Sequence, residues 1–376
     1  MLLNWLDDQN REPAACIVRV NGHEISDFYP NLVELSAVLD HQDSAQATLI
    51  FETRRMDDGS WHVHDDERIR PWASISIAAT FGDNEQAVFD GFIRQVKVDF
   101  PEQKGAAVVT VICQDTSLLL DRTQRNVRWG DETPTTDGAI ASQILSEAGI
   151  NSIDFPGEGF TNLVANQNTT DIKFLKKRAQ ENAYDIFFRE GKMYFGPLRM
   201  DRSPQPTILI YAGPESNAIR FNLEDDGHHP ETIIYEVAND EDSNTEEQSV
   251  TSGLPLYGTQ PATSESAGLG DFAWRLRREG SASEDHANQR AQAIANEEAL
   301  RIKATGDLDG ALYGHVLLPG EPVFVDGVGA RYGGRWYVMK VEHKFDVNGY
   351  KQSFEVARNG YGDDFEAPTS PIAGLL

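Results

Sequence analysis

Three stretches hold side chains able to bind metal or move protons. "WHVHDDE" (Trp61 to Glu67) sets His62 and His64 beside Asp65 and Asp66. Histidine and carboxylate are zinc-type ligands, but the stretch reads as a solvated turn between strands. "GHHPE" (Gly227 to Glu231) follows Asp225 and Asp226 and reads the same way. His343 lies in "GRWYVMKVEHKFD" (Gly334 to Asp346), which alternates as a strand. It shares a face with Tyr337, Met339, Val341 and Phe345, so a packed, hydrogen-bonded histidine is expected rather than a ligand. Glycosidase chemistry needs one carboxyl raised by an apolar pocket and another kept ionised nearby, and no stretch points to such a pair. Gly-x-Ser-x-Gly elbows, phosphate loops and dinucleotide fingerprints are absent. "GVGARYGG" (Gly327 to Gly334) is glycine-rich but joins two strands, which makes it a turn. No catalytic residue, metal ligand or cofactor is expected.

The elements that hold these residues follow from composition and periodicity. A chain of 376 residues allows two or three domains of about 150 residues each. With 33 basic against 60 acidic residues, the net charge of −27 argues against a phosphate-binding surface. Cys16 and Cys113 sit in apolar strand-like runs, where thiols are small buried hydrophobes rather than a disulfide framework. No apolar run approaches the ~20 residues of a membrane span. The start, "MLLNWLDDQNREP", lacks a basic region and turns acidic, so no signal peptide is expected. A soluble chain made in a cytoplasm is the reading.

Residues 1–115 read as six or so strands with one polar face, as in an antiparallel sheet or barrel. Residues 116–202 read as a small α/β domain. Its helices are "TPTTDGAIASQILSEAGI", closed by Gly149, and "TTDIKFLKKRAQENA", with Thr170 as N-cap. An aromatic hairpin turning at Glu190-Gly191 follows them. Strands return over 203–238 and 305–360. Between them, 239–304 is an acidic insertion and a long helix from Ser283 to Ala304; no Lys or Arg occurs between Arg220 and Arg275. The tail, 361–376, reads as a C-terminal arm. The fold class expected is mainly β with α+β insertions.

Two of these stretches read as copies. "GFIRQVKVDF" (Gly91 to Phe100) aligns with the His343 strand, so that Val96 matches Val341 and Phe100 matches Phe345, each 245 residues apart. Gly105 and Gly349 fall at the following turn, and a further strand follows in each copy. His343 takes the place of Val98. The chain thus reads as two copies of a strand–turn–strand element flanking the helical domain.

"VFDGFIRQVKVDFPE", "TTDIKFLKKRAQENAYDIFFREGKMYFGP" and "GRWYVMKVEHKFDVNGYKQSFEVARN" resemble the late control gene D family of phage tail proteins. That family is the baseplate hub of contractile tails, similar to the hub of T-even phages and to the hub part of type VI secretion spikes. The resemblance spans about Cys16 to Asn359. Gly91, Val96, Phe100, Phe174, Leu175, Gly191, Tyr194, Tyr337, Val341, His343, Phe345 and Tyr350 carry it.

The resemblance implies two tail-tube-like antiparallel β-barrels per chain. It implies a homotrimer whose six barrels imitate one six-fold tube ring and adapt it to a three-fold spike. Implied partners are the tail tube protein, the central spike protein, other baseplate proteins and the tape measure, with no sequence-specific nucleic acid and no membrane anchor. The place implied is a virion or injection-particle baseplate, assembled in the host cytoplasm. Related spikes hold iron with His-x-His pairs at their tips; here His62 and His64 lie near the N-terminus instead. A tail-borne cell-wall hydrolase or glycan-binding protein is the alternative.

Overall fold

The computed structural model describes residues 14–100, 107–150, 153–154, 157–238, 245–263, 268–277 and 284–364. The first unit is built from β1 (Ala14–Val20), the short β2 (His23–Glu24), β3 (Leu32–Asp40), β4 (Gln46–Thr53), β5 (Ser74–Phe81), β6 (Asn84–Asp99) and β7 (Ala107–Gln114). Alternation decides which side each residue takes. Leu35, Ala37 and Leu39 of β3 face the core with Ala47, Leu49 and Phe51 of β4 and Val109, Val111 and Cys113 of β7. Cys16 is half-buried, Cys113 is buried, and both thiols are free.

The small domain follows with α1 (Ser117–Leu120), β8 (Val127–Trp129), α2 (Asp137–Glu147), β9 (Ile153–Asp154), β10 (Ala165–Gln167), α3 (Asp171–Asn182), β11 (Tyr184–Arg189) and β12 (Lys192–Pro197). Thr136 caps α2 by accepting from the Ala139 amide. Thr170 does not cap α3 as expected: its hydroxyl donates to Asp121 instead, at 2.7 Å.

The second unit opens with β13 (Gln205–Leu209) and β14 (Ala218–Asp225). The insertion then supplies β15 (Thr232–Ala238), β16 (Thr245–Thr251), β17 (Gln260–Pro261), β18 (Ala273–Arg275) and α4 (Glu284–Ala299). β15 pairs with β16 and β18 rather than with the barrel, so the sequence-level barrel boundary at 238 moves back to the end of β14. The reason is packing: Ile233 and Tyr235 bury against Ala291 and Ala295 of α4. The helix also ends earlier than expected, because Ile302 opens β19 (Ile302–Asp309). The chain continues through α5 (Gly310–Tyr313), β20 (Pro322–Asp326), β21 (Gly334–Asp346), β22 (Gly349–Arg358) and β23 (Gly360–Tyr361).

The two units share one topology. The first runs β3-β4-β7-β6-β5-β1 across its sheet, and the second runs β14-β19-β22-β21-β20-β13. Substituting each strand of the first unit by its counterpart in chain order turns one order into the other. Even the bulges recur. Arg94 is the extra residue in β6 against β7, and Met339, 245 positions on, is the extra residue in β21 against β22. Val33 bulges from β3, and Ile219 bulges from β14. A bulge fixes twist and register locally, so recurrence at matched positions is stronger evidence of duplication than similar composition. One difference stands: β1 runs antiparallel to β5, whereas β13 runs parallel to β20. Gly105 lies outside the described residues.

Candidate functional site: the seam between the two barrels

Among the described residues neither unit closes its hydrogen-bond ladder on itself; β3 turns its outer edge to β21. The N-terminal part of β21, Gly334 to Tyr337, pairs with β20. Beyond the bulge, Lys340 to Phe345 pair with β3, running from Lys340 opposite Asp40 to Phe345 opposite Leu35. The two barrels thereby form one 13-stranded sheet, and neither leaves this edge open to uncontrolled pairing.

The inner face of the seam is apolar and aromatic. Phe345 and Tyr350 stack at 4.1 Å between ring centroids, only 2° from parallel. Both bury into the core of the first unit although they belong to the second. His343 is fully buried there, its Nδ1 2.8 Å from the Tyr350 hydroxyl. Burial pushes its pKa down to about 3. A general base works best with a pKa near the operating pH, so this imidazole is a neutral packing group. Gln352, opposite His343 on β22, donates to the His315 carbonyl and accepts from the Leu317 amide. It ties down the segment before β20.

The outer face carries both signs of charge in a ladder. Lys344 meets Glu34 across the seam at 2.8 Å. On the second unit Lys351 and Arg220 both reach Asp307, at 3.0 and 3.2 Å, and Lys340 reaches Glu355 at 3.9 Å. Despite a net charge of −27, this sheet face pairs acids with bases. The acidic excess lies elsewhere, notably in the run without Lys or Arg.

A buried polar knot pins the small domain against the seam. Asp185 of β11 is fully buried; His41, at the end of β3, places Nδ1 2.7 Å from its Oδ1, and the Tyr337 hydroxyl of β21 donates to its Oδ2. Burial works against a charge on His41, but the bond and the charge of Asp185 outweigh it, so its pKa lies above the ordinary histidine value. Tyr337 is pushed well above the ordinary phenol value by burial and by the Asp185 charge. The backbone agrees: the Ile186 amide donates to the His41 carbonyl, and the His41 amide to that of Met339. Three units thus meet at one carboxylate. Nearby, Arg189 bonds Glu321 and the Pro319 carbonyl, while Arg199 bonds the Gly320 carbonyl and lies over Phe187 and Tyr194. A buried carboxylate with two donors is costly to break rather than reactive.

The remaining motif residues brace this arrangement. Gly191 takes φ of +70° at the hairpin turn, and its amide and that of Glu190 donate to Asp90 of β6. Tyr194 donates to the Pro197 carbonyl. Phe174 and Leu175 fill the core of the small domain. Val341 fills that of the second barrel, and Val96 packs against the first core. Gly91 lies where a Cβ would come within 2.2 Å of the Gln114 carbonyl oxygen. Phe100 is 56% exposed.

The histidine motifs are dispersed. His62 packs edge-on to Phe28, whereas His64 packs against Trp61; Asp65 accepts from the Trp61 amide and Asp66 binds Arg68. His229 bonds Glu298, while His228 packs on Phe272. A cleft of about 630 Å³ between α3 and the insertion is lined by Phe160, Lys177, Arg178, Glu181, Tyr235 and Arg290 among others. Two carboxylates line it, Glu181 and Glu236, and Glu181 is held by Arg178.

Sequence reasoning missed His41 and Asp185. The available signal was the lone acid in "YDIFF", an otherwise apolar strand whose Asp must find a donor once buried.

The model of the Alg8 N-terminal domain family matches residues 10–346. That is a different family from the late control gene D family that the motifs resemble. No curated protein matches the sequence. Among solved structures, the chain is similar to the 43 kDa tail protein of prophage MuSo2 from Shewanella oneidensis. There the TM-score is 0.66 at 12% identity, covering 92% of this chain and 98% of that one. It is similar to the tail protein from Neisseria meningitidis, with a TM-score of 0.63 at 14% identity over 92% and 97% of the two chains. It is also similar to the E. coli c3393 protein, a component of the type VI secretion system described as structurally similar to T4 bacteriophage tail proteins gp27 and gp5. In that case the TM-score is 0.57 at 12% identity, over 92% and 78%. At these identities the likeness is one of fold: a mainly β, tail-protein-like architecture.

Proposed function

We propose that this chain, which belongs to the Alg8 N-terminal domain family, is a structural hub in the baseplate of a contractile tail or tail-like injection particle. In this reading three copies form a ring whose six barrels meet a six-fold tail tube on one side and a three-fold spike on the other. The carrying observation is the duplication: two units with one strand order and matched bulges, fused edge to edge by β21 and β3. A chain carrying two equivalent units in one sheet presents each neighbour with a copy of its own internal contact. Head-to-tail contacts that close by rotation make a ring, and three such chains supply six units. The tail-protein fold supports the setting, as do the family resemblances of the motif residues.

Tube, spike, tape measure and other baseplate proteins are the partners in this reading; sequence-specific nucleic acid and a membrane anchor have no part in it. The role is non-enzymatic: His343 is neutral and enclosed, and the Asp185 carboxylate is sealed by two donors. The test is light scattering of the purified chain with and without tail tube protein, alongside a peptidoglycan turbidity assay. Three chain masses and a complex with the tube are expected, with no clearing. A strict monomer in the presence of tube protein, or clearing by the chain alone, overturns the reading.

A further inference from the structure

The seam inside the chain has a counterpart that stands open. The free edge of β6, from Gln95 to Asp99, is the copy of the β21 edge that binds β3. The outer edge of β14, which pairs only with β19, is the copy of the β3 edge that binds β21. Neither has a ladder partner among the described residues.

Burial differs as an absent partner requires. Val341, His343 and Phe345 are all buried at the seam, whereas Val96 and Val98 are half-buried and Phe100 is exposed. The bulge residue Ile219 at the outer edge of β14 is 62% exposed.

We propose that β6 of one copy adds to β14 of the next, in the register that β21 and β3 use within the chain. The offset from β6 to β21 is 245, as Arg94 and Met339 show. That from β3 to β14 is 186, set by the bulges Val33 and Ile219 and by Leu35 facing Leu49 as Phe221 faces Gly306. Transposing the seam pairs puts Lys97 opposite Glu224, Val98 opposite Leu223, Asp99 opposite Asn222 and Phe100 opposite Phe221. On the inner face Val98 meets Leu223 and Phe100 meets Phe221, while Val96 falls opposite Asp225, whose carboxylate accepts from Tyr332 and Tyr361; on the outer face Lys97 meets an acid. The Lys344–Glu34 pair across the seam maps onto Asp99 and Arg220, with polarity reversed and complementarity kept. A strand that adds to an open edge gains main-chain hydrogen bonds and reads side chains alternately, while opposed charges fix register. The occupant is thus a second copy of this chain. The proposal rests on the hub reading only for the number of copies.

The test uses the full chain with one cysteine on each edge, Lys97→Cys with Glu224→Cys. Cys113 is buried and Cys16 half-buried, and the parent chain serves as blank. Oxidation is expected to link copies covalently, at least tenfold faster than the pair Lys97→Cys with Asn222→Cys, which is one step out of register on the same face. In sedimentation, Arg220→Glu and Asp99→Arg singly weaken self-association by about tenfold, and the double variant recovers it; a thermal melt on each confirms folding. If the parent assembles but the two cysteine pairs link equally slowly and the double variant recovers nothing, the strand pairing falls while the hub reading stands. A parent chain that stays monomeric at every concentration, with tail tube protein present as well, overturns both.

Discussion

The two barrels carry the same strand at the same place with different fates. In β21 the residues beyond the bulge lie between two strands; in β6 the matching residues have, among the described residues, a neighbouring strand on one side only. Position 343 holds an enclosed histidine where position 98 holds a half-buried valine. Upstream, Trp336 fills the second core, while its counterpart Gly91 leaves no space for even a methyl group against Gln114. Duplicated backbones thus accept quite different side chains, provided that strand order and bulges hold. The seam tolerates polar residues such as His343 and Gln352 because each finds a partner there. An open edge has to remain compatible with water until something covers it.

The comparison breaks most severely at the knot that locks one copy of the strand and not the other. Asp185→Ala leaves His41 and Tyr337 buried without their acceptor; a loss of about 3–5 kcal/mol in chemical denaturation is expected. A loss below about 1 kcal/mol would show that the knot is not what holds the small domain to the seam. Next comes Gly91→Ala, whose Cβ meets backbone rather than a flexible side chain. Overpacking of this kind costs about 1–3 kcal/mol, read as a fall in melting temperature, and an unchanged melt would refute the close approach.

The third contrast concerns pH. His343 has a folded pKa of about 3, below the roughly 6.5 of an unfolded histidine. The unfolded state therefore binds more protons between those values, and stability falls as pH drops through that window, by up to about 1.4 kcal/mol per unit. His343→Val, which copies position 98, removes that contribution and gives a shallower slope between about pH 6 and 4. Asp115 acts in the opposite sense, since burial raises it to about 6, so only the difference between variant and parent isolates the histidine. Identical slopes would place the imidazole in solvent. The smallest effect is expected from Glu34→Gln, which removes a surface ion pair with Lys344; about 0.5 kcal/mol or less is expected, and a larger loss in the melt would mean that charge, rather than the strand ladder, holds the seam.

Much of the fold could be read from residue pattern because period two is a local property. Val33, Leu35 and Ala37 alternate whatever they pair with, and the offset linking Val96 to Val341 and Phe100 to Phe345 is visible without coordinates. What pairs with what across 300 residues is not local. Nothing in "LVELSAVLD" announces that Leu35 will face Phe345. β15 reads as a barrel strand by composition, and only its packing on α4 shows otherwise. Thr170 has the chemistry of a cap, but Asp121 competes for its hydroxyl. His343 was legible as packing because its neighbours at 341 and 345 are apolar. His41 was not, because its partner lies 144 residues away.

The central claim is that two equivalent units per chain make three chains look like six. End-on electron-microscopy class averages of the purified assembly test it most directly. Six lobes around a central opening, alternating between two kinds under three-fold symmetry, are the result expected. A two-fold particle, or one showing only the two lobes of a single chain, would contradict the account.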